Sequence, residues 1–349
     1  MEIGKLIEKA IEKKASDLHL VTNLPPIIRV AGEVITMDSD KLSTEEIKEI
    51  IYSILTEEQK AIFEKEWKIS FSILYKELAH IRISLYYHLG RIEAAIRLRK
   101  MDIDPLEKLG LPASVSELLR EPHGLILITG PTGSGKTTTF YSMIDRINQE
   151  RRCKIIIVED PVEYIHQHNK SIIIQQELGK DFKTFHSALM HILRLDPDII
   201  CVGEMRELET IQTALIAAET GHLVIGTLHT GDATQTIDRI INAFMPHERA
   251  EVSLQLANCF RGTVAQALLP TVDKKNRALA CEVLIASEAV RNIIRENRLQ
   301  SLYNAMLTAK DQGMQTMDMS LKDLHDKGII SYDIAAARAR DPKFILGKY

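Results

Sequence analysis

The stretch Gly130-Pro-Thr-Gly-Ser-Gly-Lys-Thr137 constrains this chain more than any other. It satisfies the spacing GxxxxGK(S/T) in full. An apolar run at 125–129 predicts a buried strand before it, and residues 138–148 predict a helix after it. Strand, glycine loop and helix in that order build a phosphate-binding loop. Glycines let successive N–H groups turn inward as an anion nest, and the helix start adds positive potential. In that frame Gly130, Pro131, Thr132, Gly133, Ser134, Gly135 and Thr138 cradle the phosphates of ATP. Lys136 reaches the β- and γ-phosphates, and Thr137 ligates Mg²⁺.

A phosphate loop binds nucleotide; hydrolysis also needs carboxylates at the ends of neighbouring strands, to orient water and help hold the metal. Two segments supply them. Ile157-Val-Glu-Asp-Pro-Val-Glu-Tyr164 puts Glu159, Asp160 and Glu163 just beyond an apolar run. Ile199-Ile-Cys-Val-Gly-Glu204 is a strand pattern ending in an acid, with Gly203 where an aspartate is common. Gly221-His-Leu-Val-Ile-Gly-Thr-Leu-His-Thr230 brackets another apolar run with His222 and His229, and both are expected at the sheet edge where the nucleotide lies. Glu159 and His222 are therefore nucleotide-binding candidates, and His229 and Glu204 catalytic ones. His166, His168, His186, His191 and His247 read as solvated or capping residues.

Beyond residue 112, apolar runs at 125–129, 155–158, 199–202, 223–227 and 279–285 alternate with helical spacing, which predicts a mostly parallel sheet flanked by helices. Residues 287–349 read as helical. The first hundred residues mix helix (2–14, two more within 44–66) with short strands (18–21, 27–30), a turn at 31–33 and an antiparallel meander over 69–98 around Gly90. The expected organisation is an α+β domain at 1–99, a Pro- and Gly-bearing linker at 100–112, and an α/β domain at 113–349; 349 residues exceed one ordinary core. With 45% hydrophobic and 26% charged residues the composition is that of a soluble globular protein. No run approaches the roughly 18 apolar residues of a membrane span, and the start lacks a signal-peptide core, so a cytoplasmic location is expected. Cys153, Cys201, Cys259 and Cys281 stand singly, against zinc and disulfides. A net charge of −4 argues against nucleic acid as a partner.

Taken together, GPTGSGKTT, VEDPVEY, VGEMRE with LETIQTALIAAETGHLV, and GTLHTGDATQTIDRI resemble the Walker A, Asp box, Walker B and His box of the secretion-superfamily ATPases. The resemblance runs from ASDLHL near residue 15 to about residue 340. Within that superfamily the chain is most similar to the type IV pilus retraction (twitching motility, PilT) family. It starts almost directly at the N-terminal domain, lacks a tetracysteine insertion, and carries AVRNIIRE (289–296) and GMQTMDMSL (313–321).

This resemblance implies a PAS-like N-terminal domain, a RecA-like ATPase domain and a homohexameric ring binding ATP between subunits and domains. It also implies peripheral docking at the cytoplasmic face of the inner membrane through a pilus platform protein, alongside paralogous pilus ATPases. By the same resemblance Arg82 and Arg97 reach the phosphates, the alternative being local pairing with a carboxylate. Glu204 and Glu163 are the catalytic acids, either of which activates the water, with Glu204 also a Mg²⁺ ligand. Arg194 and Arg239 are second-tier contacts. Val290 and Ile294 anchor a helix on which Arg291 and Arg295 couple hydrolysis to work. Three departures from the family pattern stand out: Lys68-Ile-Ser70, Glu207 and Gly231-Asp232. An assembly or type II secretion ATPase, an auxiliary retraction paralogue and a DNA-translocating ring ATPase are the alternative readings.

Overall fold

The structure is a computed structural model that describes residues 3–13, 15–30, 32–75, 79–100, 103–273 and 276–347. Ala31 of the expected turn and residues 101–102 of the expected linker lie outside them. The chain divides into two compact units, Met1–Asp102 with Glu163–Ile165, and Ile103–Val162 with His166–Tyr349.

The first unit contains α1 (Ile3–Glu12), β1 (Asp17–Leu20), β2 (Ile27–Val30), β3 (Glu33–Thr36), α2 (Thr44–Tyr52), α3 (Glu57–Glu66), β4 (Lys68–Tyr75), β5 (Ala79–His88) and β6 (Arg91–Lys100). Its strands form one antiparallel sheet in the order β3-β2-β1-β6-β5-β4. Strand β3 begins inside the stretch expected as a turn. Its four residues are all exposed, so it carries no apolar periodicity to read. Helices α2 and α3 open on capping boxes, Ser43 with Glu46 and Thr56 with Gln59, each satisfying two orphan amides. Ile3, Leu6, Ile7 and Ala10 of α1 share a core with Leu18, Leu20, Ile81, Ile83 and Ile96.

The second unit is built on a seven-stranded sheet: β7 (Gly124–Thr129), β8 (Lys154–Glu159), β9 (Ile172–Glu177), β10 (Ile199–Val202), β11 (Leu223–Leu228), β12 (Phe260–Pro270) and β13 (Arg277–Ile285). The order is β13-β12-β7-β11-β10-β8-β9, parallel except where β13 pairs with β12. The strand that feeds the phosphate loop lies inside the sheet, between β12 and β11, in a RecA-like arrangement. Strands β7, β10 and β11 are buried along their whole length, which explains their unbroken apolar runs. The helices are α4 (Ala113–Leu118), α5 (Lys136–Glu150), α6 (Phe185–Ile192), α7 (Leu208–Glu219), α8 (Ala233–Asn242), α9 (Arg249–Cys259), α10 (Glu288–Arg295), α11 (Leu302–Thr308), α12 (Met317–Asp326), α13 (Tyr332–Arg338) and α14 (Pro342–Ile345). Within the stretch read as a linker, residues 103–112 pack on this unit. Leu106 is buried, Glu107 pairs with Arg146 at 2.6 Å, and Ser142 Oγ donates to Asp104 O at 2.7 Å.

Candidate nucleotide site

Parallel strands bring their carboxyl ends to one edge. The loop after β7, Glu159 at the end of β8, Gly203-Glu204 after β10 and His229 after β11 therefore share that edge. Gly130, Gly133 and Gly135 all adopt positive φ. At Gly130 a Cβ would also press on Gln266 O and Ser134 Oγ, so the tight turn admits only glycine. Helix α5 starts without a side-chain cap, leaving its first-turn amides to an anion. Thr132, Thr137 and Thr138 are exposed beside them, and Ser134 is buried beneath.

Lys136, buried on the first turn of α5, donates to Gly130 O at 2.7 Å and Pro131 O at 3.0 Å. Its Nζ also lies 3.3 Å from His229 Nδ1. Burial lowers the pKa of Lys136, and the nearby Glu204 carboxylate partly restores it. An ammonium has only protons to give, so Nδ1 of His229 accepts and the ring proton sits on Nε2. That nitrogen donates to Glu204 Oε1 at 2.8 Å. The same oxygen pairs with the exposed Arg206 guanidinium, a partner that the VGEMRE motif does not by itself single out. Lysine, histidine, glutamate and arginine thus form one line across the strand ends. His229, Glu204 and Arg206 face a cavity of about 650 Å³ also lined by Pro131, Thr132 and Arg239. The turn holding Glu204 is fixed from below: Met205 is fully buried against Gly226, where a Cβ would collide with its sulfur.

Glu159 is at this edge but faces inward. It is 4% exposed, accepts from Tyr141 Oη at 2.5 Å and from Gln175 Nε2 at 3.2 Å, and burial pushes its pKa up to about 7. It also explains Gly203, because a Cβ there would lie 3.2 Å from Glu159 Cα and Cγ. The expectation for His222 is corrected. Leu223 pairs with Gly124 and Leu228 with Thr129, so His222 precedes β11 at the opposite edge from the phosphate loop, where its ring lies 3.1 Å from Ala217 O. Arg194 is likewise not brought to the loop; it is exposed beyond α6, before β10 begins.

Three of the expected groups belong to the first unit. Glu163 is half-buried and groups with it. Arg82 and Arg97 are directly opposite on β5 and β6, and Asp17 on β1 is opposite Arg97. Arg97 Nε donates to Asp17 Oδ1 at 3.2 Å, the local pairing that was the alternative for it. Burial would raise the Asp17 pKa, but hydrogen bonds from Ser16 and Arg97 outweigh it and hold it low. In α10, Val290, Ile293 and Ile294 are buried as their spacing predicts, and Arg295 is exposed. Arg291, expected as a coupling residue beside Arg295, donates to Ala257 O at 3.1 Å and Asn258 O at 2.9 Å at the end of α9. Carbonyls at a helix C-terminus attract a cation, which the sequence of α10 alone could not reveal.

A family model described as type II/IV secretion system protein matches residues 2–323. The chain belongs to this family. Among its relatives, the type IV pilus retraction ATPase PilT of Pseudomonas aeruginosa is 39% identical over 343 residues, 98% of this chain and 99% of that protein. A twitching motility protein of Neisseria gonorrhoeae is 40% identical over 317 residues, 90% of this chain and 84% of the relative. A crystal structure of the pilus retraction motor PilT with bound ADP superposes with a TM-score of 0.93 at 43% identity, covering 98% of both chains. The expected family, mixed α/β fold and enzyme class therefore stand: the chain is a phosphate-loop ATPase of the retraction type.

Proposed function

We propose that this chain is a homohexameric motor that hydrolyses ATP to retract a type IV pilus and so drive twitching motility. One observation carries the reading: the Lys136–His229–Glu204 line beside the phosphate loop. In the proposed reaction, water attacks the γ-phosphoryl in line. The α5 amides and Lys136 hold the phosphates, and Glu204, held by His229, orients the water together with Glu163. Thr137 and Glu204 offer the hard oxygen donors that suit Mg²⁺. Among the described residues no group of three or more His, Cys, Asp or Glu could hold a metal ion. Held by Thr137 and Glu204, Mg²⁺ would supply charge neutralisation at the phosphates. Arg82 and Arg97 supply further positive charge to the transition state, a role that requires Arg97 to exchange Asp17 for phosphate. Arg239, on the cavity wall, is a phosphate contact, and the exposed Arg194 is proposed as an intersubunit contact.

Among the described residues no helix is long and apolar enough to cross a membrane. The proposed motor works from the cytoplasmic face of the inner membrane by docking on a platform protein, beside paralogous pilus ATPases. Changes in how Arg82 and Arg97 engage nucleotide rotate the first unit, and α10 passes work on through Arg295. Deleting the gene and counting pili by electron microscopy, with twitching scored alongside, tests this directly. Excess pili without twitching are expected; bald cells contradict retraction and favour an assembly motor.

A further inference from the structure

The four-residue step from His229 to Ala233 joins the histidine that holds Glu204 to the start of α8. Thr230 and Thr236 hydroxyls meet at 2.7 Å and close this loop onto the helix. Asp232 caps α8 through the amide of Gln235 at 2.7 Å. The amide of Ala233, first in the helix, goes elsewhere: it donates to Oε1 of Glu282 on β13 at 2.8 Å. The other oxygen of Glu282 accepts from Met317, the first residue of α12, at 3.4 Å. One buried carboxyl, 4% exposed, thus terminates two helices at once.

Its strand is held firmly on both sides. Ala265 of β12 lies opposite Glu282, and on the other flank Gln315 exchanges two backbone hydrogen bonds with Val283 at 2.8 and 3.0 Å. Cys281 N donates to Ser320 Oγ at 3.1 Å. On α12 itself a second buried carboxyl holds backbone amides: Asp318 accepts from Arg340 N at 2.8 Å and Asp341 N at 2.9 Å, ahead of α14. Beside Glu282, a cavity of about 530 Å³ lined by Asp232, Gln235, Tyr303 and Arg340 separates the first turn of α8 from the C-terminal helices. Across that gap Glu282 is a direct polar link.

We infer that Glu282 is a positioning residue that carries changes at the His229 loop across to the C-terminal helices, by holding the first amides of α8 and α12 on one carboxyl group. A shift of the loop displaces the Ala233 amide. Glu282 then follows or releases it, and α12 with the Asp318-bound segment responds. The inference rests on the proposed nucleotide site, because the signal starts at His229.

Burial pushes the carboxyl up to about 7, while the amides of Ala233 and Met317 favour its charged form. Glutamine offers one accepting oxygen, so one of the two amides loses its partner. The test is amide hydrogen exchange on the full chain with Mg²⁺ and ATPγS, following peptides 229–236 and 314–321. In the wild type both segments change on adding nucleotide. In Glu282→Gln the change at 229–236 persists and that at 314–321 shrinks about fivefold or more. Equal changes at 314–321 in both proteins overturn the relay. If the variant does not fold, the wild type decides: a response at 229–236 with none at 314–321 also overturns it. No response at 229–236 in the wild type removes the nucleotide site and the relay together.

Discussion

Glu159 and Glu204 are acids at the ends of neighbouring parallel strands, and their surroundings assign them different work. Glu204 faces the cavity on a histidine and an arginine, ready to meet water. Glu159 is sealed between Tyr141 and Gln175, with a carboxyl that burial favours in its neutral form. The sign of its effect on stability follows. Below the ordinary carboxyl value near 4.5, folded and unfolded chains both carry the proton. As pH rises towards about 7 only the unfolded chain gives it up, so stability falls by at most about 1.4 kcal/mol per pH unit. Above that window the loss is complete. Glu159→Gln removes this contribution, so the wild-type-minus-variant difference in denaturation free energy declines across the window and flattens above it. A difference independent of pH contradicts the buried, proton-bearing carboxyl.

Helix α10 shows how two residues of one type on one helix do different things. Its buried stripe, Val290, Ile293 and Ile294, secures it to the core, each contributing roughly 1.5–3 kcal/mol by burial. Arg291 then closes the end of α9, while Arg295 reaches only Asn292 of its own helix. Arg291→Ala therefore costs about 1–2 kcal/mol of stability by leaving carbonyls without a cation. Arg295→Ala leaves both thermal unfolding and ATP turnover near wild type and abolishes twitching. If Arg295→Ala cells twitch normally, α10 is not the coupling element.

The same distinction marks what a linear reading can reach. The phosphate loop, the parallel strands and the α10 stripe depend on local spacing and were legible. Strand β12 was not, because FRGTVAQALLP interrupts its apolar residues with Arg261, Thr263 and Gln266, all buried. Arg261 is tolerated there by pairing with Glu121 at 3.0 Å. Strand β9 ends in Gln175-Gln-Glu177 and lacks alternation. The two histidines bracketing β11 looked equivalent in sequence; only strand direction tells the carboxyl edge from the amino edge. The partners Asp17, Arg206 and Glu282 are set by register and long-range packing, to which spacing is blind.

At the scale of the whole molecule, an antiparallel six-stranded unit displaying Arg82 and Arg97 is joined to a phosphate-loop unit that holds Lys136, His229 and Glu204. The proposed ATPase site lies at one sheet edge, and the inferred relay runs from it to the C-terminal helices. The proposed mechanism depends on Glu204 orienting the attacking water. Steady-state ATP hydrolysis by the purified full chain, compared between wild type and Glu204→Gln with nucleotide binding measured in parallel, tests this most directly. The account predicts a loss of turnover of about 100-fold or more with binding retained. Wild-type turnover in the variant would contradict it.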